Sequence, residues 1–178
     1  GSGILGSSLG MDKIAMKSIF ESFNLPQAPY ISVEKKNINN TKYIQSIIRT
    51  TNRKINYPCF IKPANLGSSI GITKAYSEKE LINGINKAAF YDERIIIEKN
   101  INGRELECAI LGKYIMNTSV IGEVKFQSDW YNYETKYNEG QSKIIIPADL
   151  NTEISNNIKN LAVQACQAIN AYGLARVD

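Results

Sequence analysis

A loop rich in glycine and serine, placed between two short apolar runs, constrains the fold of this chain more than any other feature. The segment "CFIKPANLGSSIGITKAY" begins with the apolar run Cys59–Lys62, passes through the loop and ends in a second apolar run. Short apolar runs joined by such a loop are typical of a β-hairpin. The sequence therefore predicts two antiparallel strands, with Lys62 at the end of the first.

Helical and strand patterns alternate along the rest of the chain. Apolar residues recur at four-residue spacing from Ala15 to Phe23, which predicts an amphipathic helix ending near Asn24. Ser77, followed three residues later by Glu80, forms a capping box that predicts another helix start. Strands are also predicted at "APYISV", "RIIIEK", "RELECAILG", 115–124 and "LARVD", and helices around 43–48 and from about Thr152 to Tyr172 with Gly173 as C-cap. Helices and hairpins interleaved in this way indicate an α+β protein of two lobes.

The composition excludes several kinds of site and partner. The 178 residues contain no histidine and three widely spaced cysteines, which excludes a histidine-dependent triad and leaves a structural zinc site without ligands. Reduced, packed thiols in a cytoplasmic protein are expected. No run approaches the ~20 apolar residues that cross a bilayer. The net charge of +4 is spread along the chain without an aromatic-interleaved basic stripe, so neither a membrane nor a nucleic acid is expected as a partner.

Lys62 and the loop that follows it are suited to binding an anion. Gly67 and Gly71 permit positive φ and a close backbone approach, while Ser68 and Ser69 add hydroxyl donors. The lysine precedes the glycines, so the pattern is not a Walker A loop. On spacing alone, an ordinary glycine-rich turn beside a surface lysine is the simpler interpretation.

Two further segments carry charges at the ends of predicted strands. In "IIIEKNINGRELE", Glu98 and Lys99 follow a buried run whose exposed backbone suits the edge of an adenine ring, and Glu105 could accept from ribose hydroxyls. A solvated hairpin with alternating charges is the alternative. In "GLARVD", Arg176 and Asp178 lie two apart on one strand face, which suits a phosphate and Mg²⁺. A structural salt bridge explains that pair equally well.

Together these segments resemble a known family. The runs "GSGILGSSLGMDK", "CFIKPANLGSSIGITK", "IIIEKNINGRELECAILG", "YNYETKY", "IIIPADL" and "GLARVD" occur in the order found in D-alanine–D-alanine ligases of the ATP-grasp superfamily. The resemblance implies two lobes, each with an antiparallel sheet and packed helices, and a nucleotide between them. The central lobe would span 1–99 with the phosphate loop. The C-terminal lobe would span 100–178 with a lid loop at about 127–143.

The resemblance also implies roles for individual residues. The ATP-binding residues would be Lys13, Lys62, Gly67, Ser68, Ser69, Glu98, Lys99, Ile101, Glu105 and Lys136. Among these, Glu98 would accept from the adenine amino group, the backbone of Lys99 and Ile101 would pair with the ring, and Lys136 would reach the γ-phosphate. The catalytic residues would be Arg176, which stabilises the transferring phosphoryl group and the oxyanion, and Ser68 and Tyr137, which meet as the lid closes. Asp178 would bind the metal ion.

The reaction implied is the ATP-dependent joining of two D-alanine molecules, through an acyl phosphate, into the dipeptide used for bacterial peptidoglycan. Its cofactors would be ATP and Mg²⁺ or Mn²⁺, and the intact protein would be a homodimer. Related ligases that form an ester carry a lid histidine, so the absence of histidine favours amide formation. Family members extend beyond Gly1 and Asp178, so a fragment with weak ATP binding and no turnover is expected. Another ATP-grasp carboxylate–amine ligase and a non-catalytic ATP-binding module are the alternatives.

Overall fold

Two antiparallel β-sheets organise the chain. The computed structural model describes residues 1–126 and 142–178. The central unit comprises Asp12–Ile14 and Gln27–Asn102, and the terminal unit comprises Gly1–Met11, Ala15–Pro26 and Gly103–Asp178. The predicted α+β class with two antiparallel sheets is confirmed. The predicted assignment of 1–99 and 100–178 to functional lobes stays a prediction.

The central unit is built on a four-stranded sheet with the order β1-β4-β2-β3. Its elements are β1 (Tyr30–Glu34), α3 (Thr41–Thr50), β2 (Cys59–Pro63), β3 (Thr73–Ala75), α4 (Glu78–Tyr91) and β4 (Arg94–Lys99). Ile95, Ile96 and Ile97 are all buried, because β4 lies between two neighbouring strands with both of its faces covered. The hairpin predicted from the opening segment is confirmed, with Cys59 opposite Ala75.

The predicted Ser77 cap of α4 forms, although the Glu80 carboxylate bonds the N–H of Tyr76, one residue before the cap. The Ser77 hydroxyl accepts a hydrogen bond from the Glu80 N–H at 3.3 Å, and the Glu80 carboxylate accepts one from the Tyr76 N–H at 2.7 Å. These bonds satisfy backbone donors that have no partner inside the helix. Leu81 and Ile85 then face the sheet as part of the central core.

The terminal unit is built around β5, which pairs with three other strands. Its elements are α1 (Gly3–Met11), α2 (Lys13–Ser22, whose first residues belong to the central unit), β5 (Glu105–Gly112), β6 (Met116–Thr118), β7 (Gly122–Phe126), β8 (Ser142–Ile145), α5 (Thr152–Ala168) and β9 (Gly173–Val177). Ala162 and Cys166 of α5 pack in one core with Cys108 and Ile110 of β5. Cys108 and Ile110 therefore lie on the buried face of β5, as expected for alternate residues of a strand.

The end of α5 differs from the prediction. The helix ends at Ala168, and Asn170 adopts the left-handed conformation with φ 57°. The N–H of Ala171 donates to the Cys166 carbonyl at 2.8 Å and that of Asn170 to the Gln167 carbonyl at 3.2 Å, which is the Schellman arrangement. The prediction of Gly173 as C-cap was therefore wrong, because asparagine supplies the left-handed residue and Gly173 already begins β9.

The predicted lid loop at 127–143 lies almost wholly outside the described residues. Ser142 and Lys143 are described, and they belong to β8, where they pair with Phe126 and Lys125 of β7. The prediction that Ser142 and Lys143 belong to the lid loop was therefore wrong, because antiparallel pairing with β7 makes them part of a strand.

The sequence analysis predicted no helix over α1, and close packing explains why one forms there. The Ser2 hydroxyl donates to the Tyr172 carbonyl at 2.9 Å and accepts from the Tyr172 N–H at 3.1 Å. A Cβ atom on Gly6 would lie 2.4 Å from the Asn170 carbonyl oxygen. The glycine-rich start of the chain therefore permits backbone-to-backbone contact with the segment that leads into β9.

The cysteines behave as the sequence predicted. Cys59, Cys108 and Cys166 are free and buried. Burial raises the pKa of the Cys59 thiol to about 11, so this thiol is protonated and unreactive at neutral pH. Within residues 1–126 and 142–178, no helix has the length and apolar character that crossing a membrane requires.

Two glycines of α1 offer a matched test of this packing. We expect Gly6→Ala to lower the free energy of unfolding by about 1–3 kcal/mol, because the new methyl group overlaps the Asn170 carbonyl. Gly10→Ala should raise it by about 0.5–1 kcal/mol, since the nearest heavy atom would lie 3.6 Å away and alanine favours a helix. Urea unfolding measures both, and equal effects would contradict the packing argument.

Candidate functional site

Lys62 and Glu98 form an ion pair on one face of the central sheet. Phe60 of β2 lies opposite Glu98 of β4, so Lys62, two residues beyond Phe60, shares the face of Glu98. The Lys62 Nζ contacts the Glu98 Oε2, and the two side chains are only 23% and 9% exposed. Two residues predicted to bind ATP are thus brought together by the register of β2 and β4.

Lys13 lies at the exit of the same strand. Its ammonium group donates to the carbonyls of Pro63 and Ala64, both at 3.2 Å, and to that of Leu66. Its backbone N–H also donates to the Ala64 carbonyl, at 3.0 Å. Burial lowers the pKa of Lys13, and repulsion from Lys62 lowers it further. The two ammonium groups therefore lie within electrostatic range of each other, and a phosphate would have to replace at least one carbonyl to contact Lys13.

The loop after β2 uses left-handed backbone at different positions from those expected. Ser68, Ser69 and Gly71 have φ values of 52°, 59° and 73°. A Cβ atom on Gly71 would also lie 2.7 Å from the Pro63 ring and 2.8 Å from the Tyr91 ring, so glycine is required there. Gly67 has no positive φ, and a Cβ atom there would meet nothing within 4 Å. Of the two glycines that permit a positive φ, Gly71 therefore adopts one and Gly67 does not.

At the end of β4, one of the backbone groups expected to pair with an adenine ring is already bonded within the protein. The Lys99 N–H donates to the Pro29 carbonyl at 2.9 Å, so the Lys99 carbonyl is the group left to meet a ligand. Ile101 follows in an exposed segment. A donor to the ring edge would therefore come from Ile101 rather than Lys99.

Arg176 and Asp178 lie together at the end of β9 in the terminal unit. The Arg176 Nε donates to the Asp178 Oδ1 at 2.8 Å, and a second guanidinium nitrogen lies 3.2 Å from the Oδ2. Arg176 also lies 3.4 Å from a carboxylate oxygen of Glu107. The arginine and aspartate side chains are 60% and 57% exposed. The salt bridge considered from the sequence therefore forms, and both charges remain accessible.

Glu105 begins β5 close in sequence to an ion pair that the sequence analysis missed. Arg104 donates to both carboxylate oxygens of the buried Glu123, at 2.8 and 2.7 Å, and to the Asp149 carbonyl at 2.9 Å. These contacts hold the backbone at the start of β5, where Glu105 is exposed. No local pattern could identify them, because Arg104 precedes β5 and Glu123 lies in β7, 19 positions away.

The predicted lid residues are Lys136 and Tyr137, and the predicted metal ligand is Asp178. Lys136 and Tyr137 lie outside the described residues. In the ranges 1–126 and 142–178, no three histidine, cysteine or acidic side chains form a cluster that could hold a metal ion. Asp178 alone therefore does not constitute a magnesium site.

Comparison with known proteins identifies the family. The model of the family described as "D-ala D-ala ligase C-terminus" matches residues 19–178. The chain belongs to the D-alanine–D-alanine ligase family. The resemblance stated from the sequence is thereby confirmed.

Several ligases of this family are similar to the whole chain. Proteins named D-alanine–D-alanine ligase from Prochlorococcus marinus strain NATL1A and Synechococcus sp. strain WH7803 are 70% and 47% identical over all 178 residues. These alignments cover 51% and 50% of the two relatives. The chain thus spans about half the length of the curated relatives that it matches.

Solved ligase structures confirm the ATP-grasp fold. The VanG D-Ala:D-Ser ligase from Enterococcus faecalis superposes with a TM-score of 0.84 at 31% identity, covering 97% of this chain and 49% of that one. The D-alanine-D-alanine ligase from Coxiella burnetii gives a TM-score of 0.77 at 24% identity, covering 98% and 44%.

The ion pair of this ligase-family chain can be tested by a double-mutant cycle. We expect Lys62→Met to lower the free energy of unfolding by about 3 kcal/mol, because it takes the ammonium partner from the buried Glu98 carboxylate. Adding Glu98→Gln should recover much of that loss. Lys35→Met, in the exposed pair with Glu93, serves as the control and should change it by less than about 1 kcal/mol. Additive effects of Lys62→Met and Glu98→Gln in urea unfolding would contradict the pairing.

Proposed function

We propose that this chain is the ATP-binding half of an ATP-dependent D-alanine–D-alanine ligase. The observation that supports it best is the grouping of Lys13, Lys62, Glu98 and the Gly67–Gly71 loop in one unit. Two lysines within electrostatic range of each other attract a polyanion, and a glycine-containing loop with left-handed residues presents backbone donors to it. Identity of 70% over the whole chain to a protein named D-alanine–D-alanine ligase supports the same assignment.

The proposed reaction has two steps. A carboxylate oxygen of one D-alanine attacks the γ-phosphorus of ATP. The bond between that phosphorus and the bridging oxygen breaks, so ADP departs and an acyl phosphate is formed. The amine of the second D-alanine then attacks the acyl carbon, loses a proton and expels phosphate, which leaves the dipeptide. Lys13 and Lys62 would reduce the repulsion between the carboxylate and the triphosphate.

Arg176 would act on the charge that develops at the reacting centre. Its guanidinium is exposed and paired with Asp178 and Glu107, so it can turn to a phosphoryl group or an oxyanion without leaving a buried carboxylate behind. A preorganised donor at such a position contributes about 3–4 kcal/mol to the barrier reduction. Ser68 and Tyr137 would order the substrate as the lid closes and excludes water.

The remaining residues would bind the nucleoside. Glu98, which pairs with Lys62, would accept a hydrogen bond from the adenine amino group. The Lys99 carbonyl and the Ile101 N–H would meet the ring edge, Glu105 would hold the ribose, and Ser69 would add a phosphate donor beside Gly67. Lys136 would reach the γ-phosphate from the lid. Asp178 would supply one ligand to a Mg²⁺ or Mn²⁺ ion, which when bound offsets triphosphate charge.

The second substrate needs a direct test, because one solved relative is a D-Ala:D-Ser ligase. We propose D-alanine at both positions, since the proteins that share 70% identity with this chain are named for it. The chain has no histidine, which argues against ester formation. Free buried cysteines support a cytoplasmic location for the intact enzyme. Its assembly as a homodimer stays a prediction.

Activity of the extended polypeptide tests the proposal. The chain joined to the two flanking regions that its relatives carry should release ADP from MgATP only when D-alanine is present. D-Serine as the acceptor should give a lower kcat/KM. ADP release that ignores D-alanine would leave a non-catalytic ATP-binding module as the better hypothesis, and a preference for D-serine would overturn the substrate assignment.

Arg176 provides a second test in the same extended enzyme. We expect Arg176→Ala to lower kcat about 10²–10³-fold, because the transition-state charge loses a preorganised donor. Its exposed ion pairs contribute little to stability, so the midpoint of urea unfolding should hardly move. Arg49→Ala, which removes an exposed arginine from α3, is the matched control and should leave kcat unchanged. An unchanged kcat for the Arg176 variant would remove it from the proposed machinery.

A further inference from the structure

The segment between β2 and the glycine-serine loop, Pro63–Leu66, is held by charged groups on two sides. We refer to it as the stem. On its carbonyl side the Lys13 ammonium contacts three of its four residues. On its amide side a carboxylate from the end of α4 contacts Asn65. A four-residue segment therefore receives bonds from both a cation and an anion.

The amide-side contact comes from Asp92. Its Oδ2 accepts from both the backbone N–H and the side-chain Nδ2 of Asn65, at 2.8 and 2.9 Å. Its Oδ1 accepts from the Arg94 N–H at 3.2 Å. Burial raises the pKa of Asp92, but the hydrogen bonds from Asn65 and Arg94 outweigh it and hold the pKa below its ordinary value. The carboxylate is therefore ionised near neutral pH, which strengthens the bonds that it accepts.

Asp92 is itself anchored at a rigid turn between α4 and β4. Its N–H donates to the Ala88 carbonyl at 3.1 Å. The Arg94 carbonyl accepts from the Ala64 N–H at 2.9 Å, and the Arg94 guanidinium pairs with Asp12 beside Lys13. The stem is thus tied by backbone and side-chain bonds to one edge of the sheet.

Burial changes abruptly where the stem meets the loop. Pro63 and Ala64 are buried, whereas Gly67 and Ser68 are exposed. The left-handed serines begin at Ser68, two residues after the last residue of the stem. The exposed loop therefore leaves the sheet from a stem that buried residues and hydrogen bonds hold in place.

We propose that Asn65 and Asp92 are positioning residues that hold the stem so that the Gly67–Gly71 loop presents its backbone donors to the nucleotide phosphates. This inference rests on the proposed function of the loop. Neither side chain contacts the nucleotide. A loop whose base is fixed loses less conformational entropy when it closes on a ligand, so the residues contribute to phosphate binding indirectly.

Two ligands separate positioning from general stability. MgATP and adenosine share the ring and ribose, and only MgATP meets the loop. We expect Asn65→Ala to raise the dissociation constant of MgATP about tenfold and to leave that of adenosine unchanged, because one hydrogen bond to a charged acceptor is lost. Isothermal titration calorimetry measures both. Asp92→Ala should have a larger effect on MgATP, and Glu93→Gln, a neighbouring exposed carboxylate that pairs with Lys35, is the control.

Hydrogen exchange provides a readout that needs no ligand. In Asn65→Ala the backbone amides of 66–71 should exchange about tenfold faster than in the unaltered chain, while those of buried β4 keep their rates. Equal weakening of MgATP and adenosine, or unchanged binding of MgATP, would overturn the proposal. If the chain joined to the flanking regions of its relatives binds neither ligand, the proposed function fails, and unchanged exchange in 66–71 would then overturn the positioning role separately. Asn65→Ala keeps the backbone bond to Asp92, so it tests the role even where Asp92→Ala fails to fold.

Discussion

The antiparallel pairing of β2 with β4 is the interaction on which the candidate site depends. Its register sets Phe60 opposite Glu98, so the side chain of Lys62 emerges on the face that carries the Glu98 carboxylate. A slip of one residue would turn Lys62 to the opposite face and separate the two charges. The register is strongly specified, because both faces of β4 are covered and the isoleucines Ile95–Ile97 are all buried.

Positive charge gathers around this register, although the net charge of +4 is otherwise spread along the chain. Lys13 and Lys62 repel each other, and carbonyl groups and the Glu98 carboxylate partly offset their charges. Two neighbouring ammonium groups lower the stability of a folded protein unless a ligand supplies more negative charge. A triphosphate would supply it, which gives the proposed function and the unusual placement of Lys13 a single physical explanation.

In the terminal unit, close backbone packing joins distant parts of the chain, as the Lys62–Glu98 ion pair does in the central unit. Ser2 and Gly6 contact the segment from Asn170 to Tyr172, which leads directly into the strand carrying Arg176. Because Gly6 has no Cβ atom, α1 can lie against that segment at the distance of backbone contact. The glycine-rich beginning of the chain and the charged end of β9 are therefore parts of one structural arrangement, although they lie at opposite ends of the sequence.

The sequence by itself determined the elements whose causes are local. The hairpin around the glycine-serine loop, the capping box at Ser77, the buried strand before Glu98 and the helix ending near Asn24 follow from apolar spacing and side-chain bonds within a few residues. The family followed from motifs in a characteristic order. The tertiary structure alone decided that a glycine-rich segment forms a helix and that Asn65 meets Asp92 across 27 positions. These features arise from contacts between distant residues, which no local pattern records, because the free energy that stabilises them appears only when the elements pack together.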